Sequence, residues 1–464
     1  MTAVDRPLCR WSTGPVADRR EPYVQLIDVT REAALIAWGH FDLVQSERGW
    51  RSSSIDETIG ARAVPLGRAA VEVLDTDGTV VSRATTDEAN HVWVGELKPA
   101  TTYRYRVTVD GEPWGEGERY DWSPTGLKPP SRPPRYQLRT HPESDRPDPI
   151  TFLAVGDFGV GIASPDGQRQ LAVARTMQRL ADANDVRFVI GLGDTIYHGP
   201  GGPHDHSGAD DDDWWLAFFQ PYRYLLDHLP FYPTAGNHDG SDEEDADDRT
   251  QLEDNLYLDV RFGPRAEEGR ASLGPGLFYR LELGTLLELM CVDTTWGAEQ
   301  GQHWFDDAGH RRWLESALAD GGARWRIPFC HHPAWGAGPH HEGMAEQVDQ
   351  LVPLYRDGGV RMLLHGHEHN FQHGRVEGLD YLVAGGGAKR QPDPPVWFEE
   401  AGTLSWSSEA HCLLVQVTED HLTVVPYGAT APGGQPSPLV RRTTAGELVD
   451  DPITLPWDQS LVSA

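Results

Sequence analysis

The sequence predicts a multi-domain chain, an all-β sandwich followed by an α/β domain. Three observations predict it. Residues 23–122 carry short apolar runs separated by hairpin turn chemistry; residues 123–149 are proline-rich; from residue 150 onward strand-like runs alternate with helical segments. At 464 residues the chain is long for one domain, and 39% apolar residues suffice for a sizeable core.

In the first domain the runs are AALIAW (33–38), AAVEVLD (69–75), HVWVGEL (91–97) and TYRYRVTVDGE (102–112), with few helix signals. Asp-Thr-Asp-Gly (75–78) and Asp-Gly (110–111) are hairpin turns. Residues 1–122 are therefore expected to form the sandwich, and residues 96–107 resemble the end of a fibronectin type III-like module. Residues 123–149 (SPTGLKPPSRPPRYQ…RPDP) read as an extended linker. The α/β domain is expected over 150–430. Its strands are TFLAV (151–155), VRFVIGL (186–192), FYPTA (231–235), TLLELMCV (285–292), RIPFC (326–330) and RMLL (361–364). Between them, residues 167–183 and 310–318 space their apolar side chains as helices do. Residues 431–464, rich in proline and glycine, read as a loosely held tail.

Composition excludes several functions. A net charge of −31 opposes binding to nucleic-acid backbones and anionic membranes. Lysine occurs only at 98, 128 and 389. The four cysteines, Cys9, Cys291, Cys330 and Cys412, are widely spaced without a CxxC, so neither a disulfide framework nor a cysteine zinc site is expected. The N-terminus shows no signal peptide and no apolar run approaches membrane-spanning length, so a cytoplasmic protein is expected as written, unless the chain is a mature secreted form. No internal repeat is visible, and the acidic runs 210–213 and 239–248 read as solvated loops.

Polar residues cluster just after nearly every strand of the α/β domain. They are Asp157 after the first, Asp194 and Tyr197 after the second, and Asn237, His238 and Asp239 after the third. His331 and His332 follow the fifth, and His365, His367 and His369 the sixth. Ligands bind at the carboxyl ends of such strands. A lone histidine or aspartate there is usually a cap, but five strand ends supplying Asp, Asp, Asn, His and His-x-His exceed that need. The donors suit iron, zinc or manganese, in number enough for two ions. VGDFGVG (155–161) also mimics a dinucleotide loop and a kinase tripeptide. A kinase needs a strand lysine and a His-Arg-Asp loop, and residues 151–464 hold one lysine and no such loop. A dinucleotide site needs an acidic residue downstream, and Asp194 is better placed in its own block.

GDFG, GDTIY, GNHD, HHP and GHEH, in this order, resemble the five blocks of the metallophosphoesterases, and within them the purple acid phosphatases. The resemblance covers roughly residues 150–430 and implies a four-layer α/β/β/α catalytic domain. Many metallophosphoesterases have Asp-x-His in the first block; here the third position is Gly159, and Tyr197 stands three residues after Asp194 as in the purple phosphatases. The resemblance implies one metal on Asp157, Asp194, Tyr197 and His369. It implies a second on Asp194, Asn237, His331 and His367. His332 and His365 are read as supporting groups. It also implies Fe(III) with a divalent partner, zinc, iron or manganese. Two carboxylates and a phenolate bring three negative charges against five positive, leaving the site positive enough for phosphate even after a bridging hydroxide. The implied reaction is hydrolysis of a small phosphate monoester, with His238, His340 and His341 binding the phosphoryl group and protonating the leaving group. A phosphodiesterase or nucleotide pyrophosphatase would use the same centre; a non-enzymatic binding module is the reading from another class. His198, His204 and His206 read as solvated loop residues. His373 stands where plant-type members often have arginine.

Overall fold

Central strands of the α/β domain are buried along their whole length, and their side chains alternate between two apolar clusters. In Leu287–Cys291, residues Leu287, Leu289 and Cys291 join one apolar cluster while Met290 joins another. Met362–His365 and Leu379–Ala384 repeat the pattern, with Leu364 and Leu382 on one side and Leu363 and Tyr381 on the other. Successive strand residues face opposite ways, so this sheet is covered on both faces. One face packs on a second sheet, whose Phe152 and Leu413 share the first cluster. The other packs on the helices Ala308–Ala319 and Val352–Asp357 through Leu314, Leu318 and Tyr355. The helix Gly167–Ala183 covers the second sheet through Val173, Met177 and Leu180. The result is the four-layer α/β/β/α arrangement.

The structure is a computed structural model and describes residues 18–46, 49–52, 64–116, 119–197, 214–239, 246–274, 276–296, 302–320, 322–429 and 433–457. In the smaller sheet Phe231–Pro233, Val186–Gly191 and Ile150–Val155 run parallel, followed by antiparallel His411–Val417 and His421–Gly428. In the larger sheet Leu287–Cys291, Trp325–Phe329, Met362–His365 and Leu379–Ala384 are parallel neighbours. Ala308–Ala319 starts where the Asp307 side chain accepts from Gly309 N at 2.7 Å and His310 N at 3.1 Å, an N-cap that satisfies two otherwise unpaired donors.

The N-terminal domain packs a sheet of Arg19–Val29, Ala34–Ser46, Gly49–Ser52 and His91–Val94 against one holding Ala69–Leu74, Val80–Thr86 and Thr102–Val109. Leu26, Ile36 and Trp38 meet Val71, Tyr105 and Val107 in a core of their own. Two expectations about boundaries are corrected. Gln137–Arg139 pairs antiparallel with Thr102–Arg104 and buries Leu138, so the region 123–149 is not all linker. Proline cannot donate to a ladder, but 135–140 contains none and is free to pair. The expected tail is likewise ordered. Arg441–Thr443 joins the larger sheet, Ile453–Pro456 joins the smaller, and Ile453 and Leu455 are buried while Thr454 is exposed. That period-two alternation outweighs the proline and glycine content on which the expectation rested.

The sandwich is fixed to the catalytic domain by buried polar contacts. Asp28 takes hydrogen bonds from Tyr232 Oη at 2.7 Å and Arg265 Nη2 at 3.1 Å. Burial raises its pKa, but Arg265 and then Arg261 outweigh burial and hold the carboxyl below the ordinary range. Glu21 accepts from Trp215 Nε1 at 2.8 Å and pairs with Arg223 at 2.7 Å. Among the described residues no helix is long and apolar enough to cross a membrane.

Candidate metal centre

The carboxyl ends of both parallel sets meet along one edge, and the loops leaving them carry every residue that the resemblance marks as a ligand. Asp157, Asp194 and His367 hold φ of 58°, 51° and 73°, in the left-handed region that non-glycine residues avoid. Such conformations cost roughly 1–3 kcal/mol each and persist where surroundings over-determine them. Here the surroundings are backbone bonds between loops: Asp157 N donates to Gly193 O at 3.1 Å, Gly366 N to His331 O at 3.0 Å and Ala388 N to Asp157 O at 2.9 Å.

Gly159 explains the missing histidine. A Cβ there would lie 1.8 Å from Thr195 O and 2.6 Å from Ile196 Cα, so the chain carrying Asp194 and Tyr197 occupies the space a side chain would need. Tyr197 N donates to Gly159 O at 2.9 Å, which locks the two loops together. The tyrosine thus enters the site where that close approach brings it.

Seven residues form two groups. In the first, Asp157 Oδ1 and Tyr197 Oη are 3.1 Å apart, Tyr197 Oη and His369 Nε2 3.3 Å, and His369 Nε2 and Asp157 Oδ1 3.4 Å. In the second, His331 Nε2 and Asn237 Oδ1 are 2.9 Å apart, His367 Nδ1 and Asn237 Oδ1 3.1 Å, and His367 Nδ1 and His331 Nε2 3.2 Å. Asp194 lies between them: its Oδ1 is 3.4 Å from His331 Nε2, and its carboxylate groups with Asp157 and His369.

These distances fit metal ions. Two atoms each about 2.1 Å from one ion and at right angles to each other are about 3.0 Å apart. The electronic character fits as well. His331 Nδ1 lies 2.9 Å from Leu192 O, which can only accept, so the Nδ1 proton points away from the site and Nε2, 2.9 Å from Asn237 Oδ1, is the nitrogen turned toward it. With a cation in place of a proton, Nε2 and the Asn237 oxygen are both available as ligands. Burial raises the Asp157 carboxyl well above its usual range, and burial followed by the Asp157 and Asp194 charges raises the Tyr197 phenol well above 10. For Asp194 burial acts upward but His331 and His238 outweigh it, and the carboxyl lies low. Burial keeps His367 and His369 below their ordinary range, neutral and able to ligate.

Around these residues, the His238 ring packs at a tilt against that of Tyr197 with centroids 4.5 Å apart, and its backbone N–H donates to Asp194 Oδ1 at 3.0 Å. His341 is half-buried with its ring 4.0 Å from that of His367; burial, then His369 and His340, push it down to about 4. His340 is exposed at the rim, its ring 6.1 Å from that of His341, so the structure brings His341 nearer the ligands than His340. His365 is a core residue, Nδ1 3.1 Å from Cys330 Sγ, and Cys330 is buried beside it. His373 is buried against Asp380, Nε2 to Oδ1 2.8 Å. His198, His204, His206, Cys9 and residues 210–213 and 240–245 lie outside the described residues.

Other functional groups escaped the sequence reading. Asp239, read within a solvated loop, is fully buried and takes Thr195 N at 3.0 Å, Ile196 N at 3.2 Å and Gly236 N at 2.9 Å. It ties the Asp194 loop to the Asn237 loop; burial, then the Asp194 charge, push it up to about 7. The same acidic run enters the helix Ala246–Asn255 at its far end. Glu368, between two ligands, accepts His341 N at 2.6 Å and so anchors the loop of His340 and His341. Lys389 sets Nζ 4.6 Å from the Tyr197 ring centroid. The sequence signals for Asp239 and Glu368 were their places inside GNHD and GHEH; Lys389 had none.

Residues 150–371 match the calcineurin-like phosphoesterase family. Purple acid phosphatase 4 of Arabidopsis thaliana is 26% identical over 311 residues, spanning 63% of this chain and 84% of the relative. Purple acid phosphatase 3 of the same plant is 27% identical over 299 residues, spanning 60% and 74%. Among solved structures, PhoD superposes with a TM-score of 0.63 at 13% identity over 94% of this chain and 90% of its own. The purple acid phosphatase PPD1 of yellow lupin (Lupinus luteus) seeds gives 0.57 at 14% identity over 96% and 76%. At such identities these two likenesses concern the fold alone.

Proposed function

We propose that this chain, a phosphoric ester hydrolase whose residues 150–371 match the calcineurin-like phosphoesterases and which is similar to purple acid phosphatases, cleaves phosphate monoesters at a binuclear metal centre. The observation that carries the reading is the pair of convergent donor triads sharing Asp194. We assign Asp157, Asp194, Tyr197 and His369 to one ion, and Asp194, Asn237, His331 and His367 to the other. Bound there, the ions would supply the positive charge that neutralises phosphoryl oxygens and a water acidic enough to attack phosphorus near neutral pH.

The phenolate of Tyr197 favours a trivalent ion, so iron(III) with a divalent partner, zinc, iron or manganese, is the proposed pair. His238 braces Tyr197 and Asp194 and faces the phosphoryl group. His341, with His340 outside it, binds substrate and protonates the departing alkoxide, a role that typically contributes roughly 10²–10⁴-fold. The acidic surface argues for a small ester as substrate and against a nucleic-acid backbone or a membrane as partner.

Metal analysis together with turnover of p-nitrophenyl phosphate and its bis ester tests the proposal. The expected result is two metals per chain and a higher kcat/KM for the monoester. Preference for the bis ester would replace the monoesterase with a phosphodiesterase on the same centre. A visible band removed by Tyr197→Phe is the expected mark of iron(III); its absence from the metal-replete protein would sink the iron assignment.

A further inference from the structure

Resting on the binuclear reading above, we propose that His332 supplies a third imidazole nitrogen to the second subsite, beside His331 and His367. The sequence gives no reason to choose it, because the resemblance assigns the ligand to the residue two before Pro333, which is His331. The ring, however, does not lie behind the site. One ligand-competent atom from each of His331, His332 and His367 falls within 4.8 Å of the other two. The His332 ring centroid is 4.4 Å from that of His367 and 5.0 Å from that of His331. Two nitrogens on opposite sides of one ion, each bonded at about 2.1 Å, are about 4.2 Å apart. Small side-chain rotations therefore suffice to bring all three onto one ion.

The ring is also held as metal-bound histidines are held. Its Nδ1 lies 3.1 Å from Thr294 Oγ1, which fixes the ring plane and leaves Nε2 for the site. The same hydroxyl accepts His332 N at 3.1 Å, and His332 O takes Gln347 Nε2 at 2.7 Å and Cys330 Sγ at 3.3 Å. The amide and the thiol hold the backbone, and the anchor on the ring itself is a neutral hydroxyl, not a carboxylate. With it the second subsite holds three nitrogens, the Asn237 oxygen and the shared Asp194. An imidazole-rich set of this kind selects cobalt and zinc over manganese.

The test is a titration of the metal-free protein with Co(II), followed by its visible ligand-field bands and by bound metal per chain. Wild type should take two ions. His332→Ala should keep one at unchanged affinity, bind the other at least about tenfold more weakly with altered bands, and regain the second on addition of free imidazole. Wild-type affinity and bands for both ions in His332→Ala would overturn the inference and leave the binuclear reading standing. Fewer than two ions in wild type would overturn the reading beneath it and the inference with it. If His332→Ala does not fold, Thr294→Val decides. That variant frees the ring from its anchor and should weaken the second ion severalfold; unchanged affinity would overturn the inference.

Discussion

Gly159→Ala is the smallest change that tests why this site uses a tyrosine. The added Cβ would sit 1.8 Å from Thr195 O, against the 3.0 Å below which Cβ contacts essentially never fall. The loop bearing Asp194 and Tyr197 must retreat by the difference, at least about 1.2 Å. It has no soft way to do so, because the contact is backbone against backbone and Tyr197 N is bonded to Gly159 O at 2.9 Å. Metal sites tolerate ligand shifts of only about 0.2 Å, and a misplacement of about 1 Å costs on the order of 10²-fold in rate. The expected outcome is therefore a folded protein that loses the ion of the first subsite and at least about 10² in kcat/KM on p-nitrophenyl phosphate. Gly159→His should behave the same way, because its Cβ meets the same carbonyl. Metal per chain, steady-state kinetics and a melting curve read the result. Two metals and activity within about threefold of wild type in Gly159→Ala would refute the argument that the close approach places the tyrosine.

Three further outcomes follow from other parts of the molecule. Glu368→Ala should raise KM for the ester about tenfold by freeing the His340–His341 loop, the size of a lost bond to a charged acceptor, while Glu368→Gln keeps an acceptor and most of the binding; steady-state kinetics on both variants decide. His141 is buried and held down to about 3, by burial first and then by Arg187. Its ordinary value is near 6.5, so below that pH the unfolded chain takes a proton that the native chain refuses, and stability falls as pH falls. Between pH 7 and pH 5 this amounts to about 2 kcal/mol, and urea unfolding of His141→Leu should show a pH dependence flatter by that amount. A chain of net charge −31 repels a dianionic ester, so kcat/KM should rise as salt shortens the screening length from about 30 Å at 0.01 M to about 8 Å at 0.15 M; a fall would mean that the local field of the metal centre governs capture.

The catalytic domain was readable because its buried strands are continuous apolar runs and its polar residues stand just past their ends. Each proposed ligand in the sequence is a side chain without a local reason to be there, and five blocks of such residues in order form a signal that one does not. The supporting groups give a weaker signal or none. Asp239 looks like the first residue of an acidic run, yet its carboxylate is used up by three backbone N–H groups on two loops. Thr294 and Gln347 matter only through a fold that brings them beside His332 from other elements. The misplaced boundaries have a different cause. Proline density was read as absence of structure, but Leu138 lies in a proline-free stretch and Ile453 in a short strand flanked by prolines, and both alternate and find a ladder to join. Composition averages over a window, whereas pairing is settled residue by residue.

The same contrast explains what the first block contributes. Asp157 and Gly159 are two residues apart, yet they shape the site in opposite ways. Asp157 adopts φ of 58° and so carries backbone strain in order to aim a carboxylate at the centre. Its Oδ2 at the same time accepts His367 N at 2.9 Å, which holds the GHEH loop in its own left-handed turn at φ of 73°. Gly159 offers no side chain and so admits the neighbouring loop, which brings Tyr197 Oη within 3.1 Å of that same carboxylate. One short loop thus sets the first proposed ligand, leaves no room for a side chain two residues on and positions the tyrosine proposed in its stead. The energetic burden is two strained residues and a buried cluster of acids, which neighbouring backbone bonds hold in place and which bound cations would neutralise.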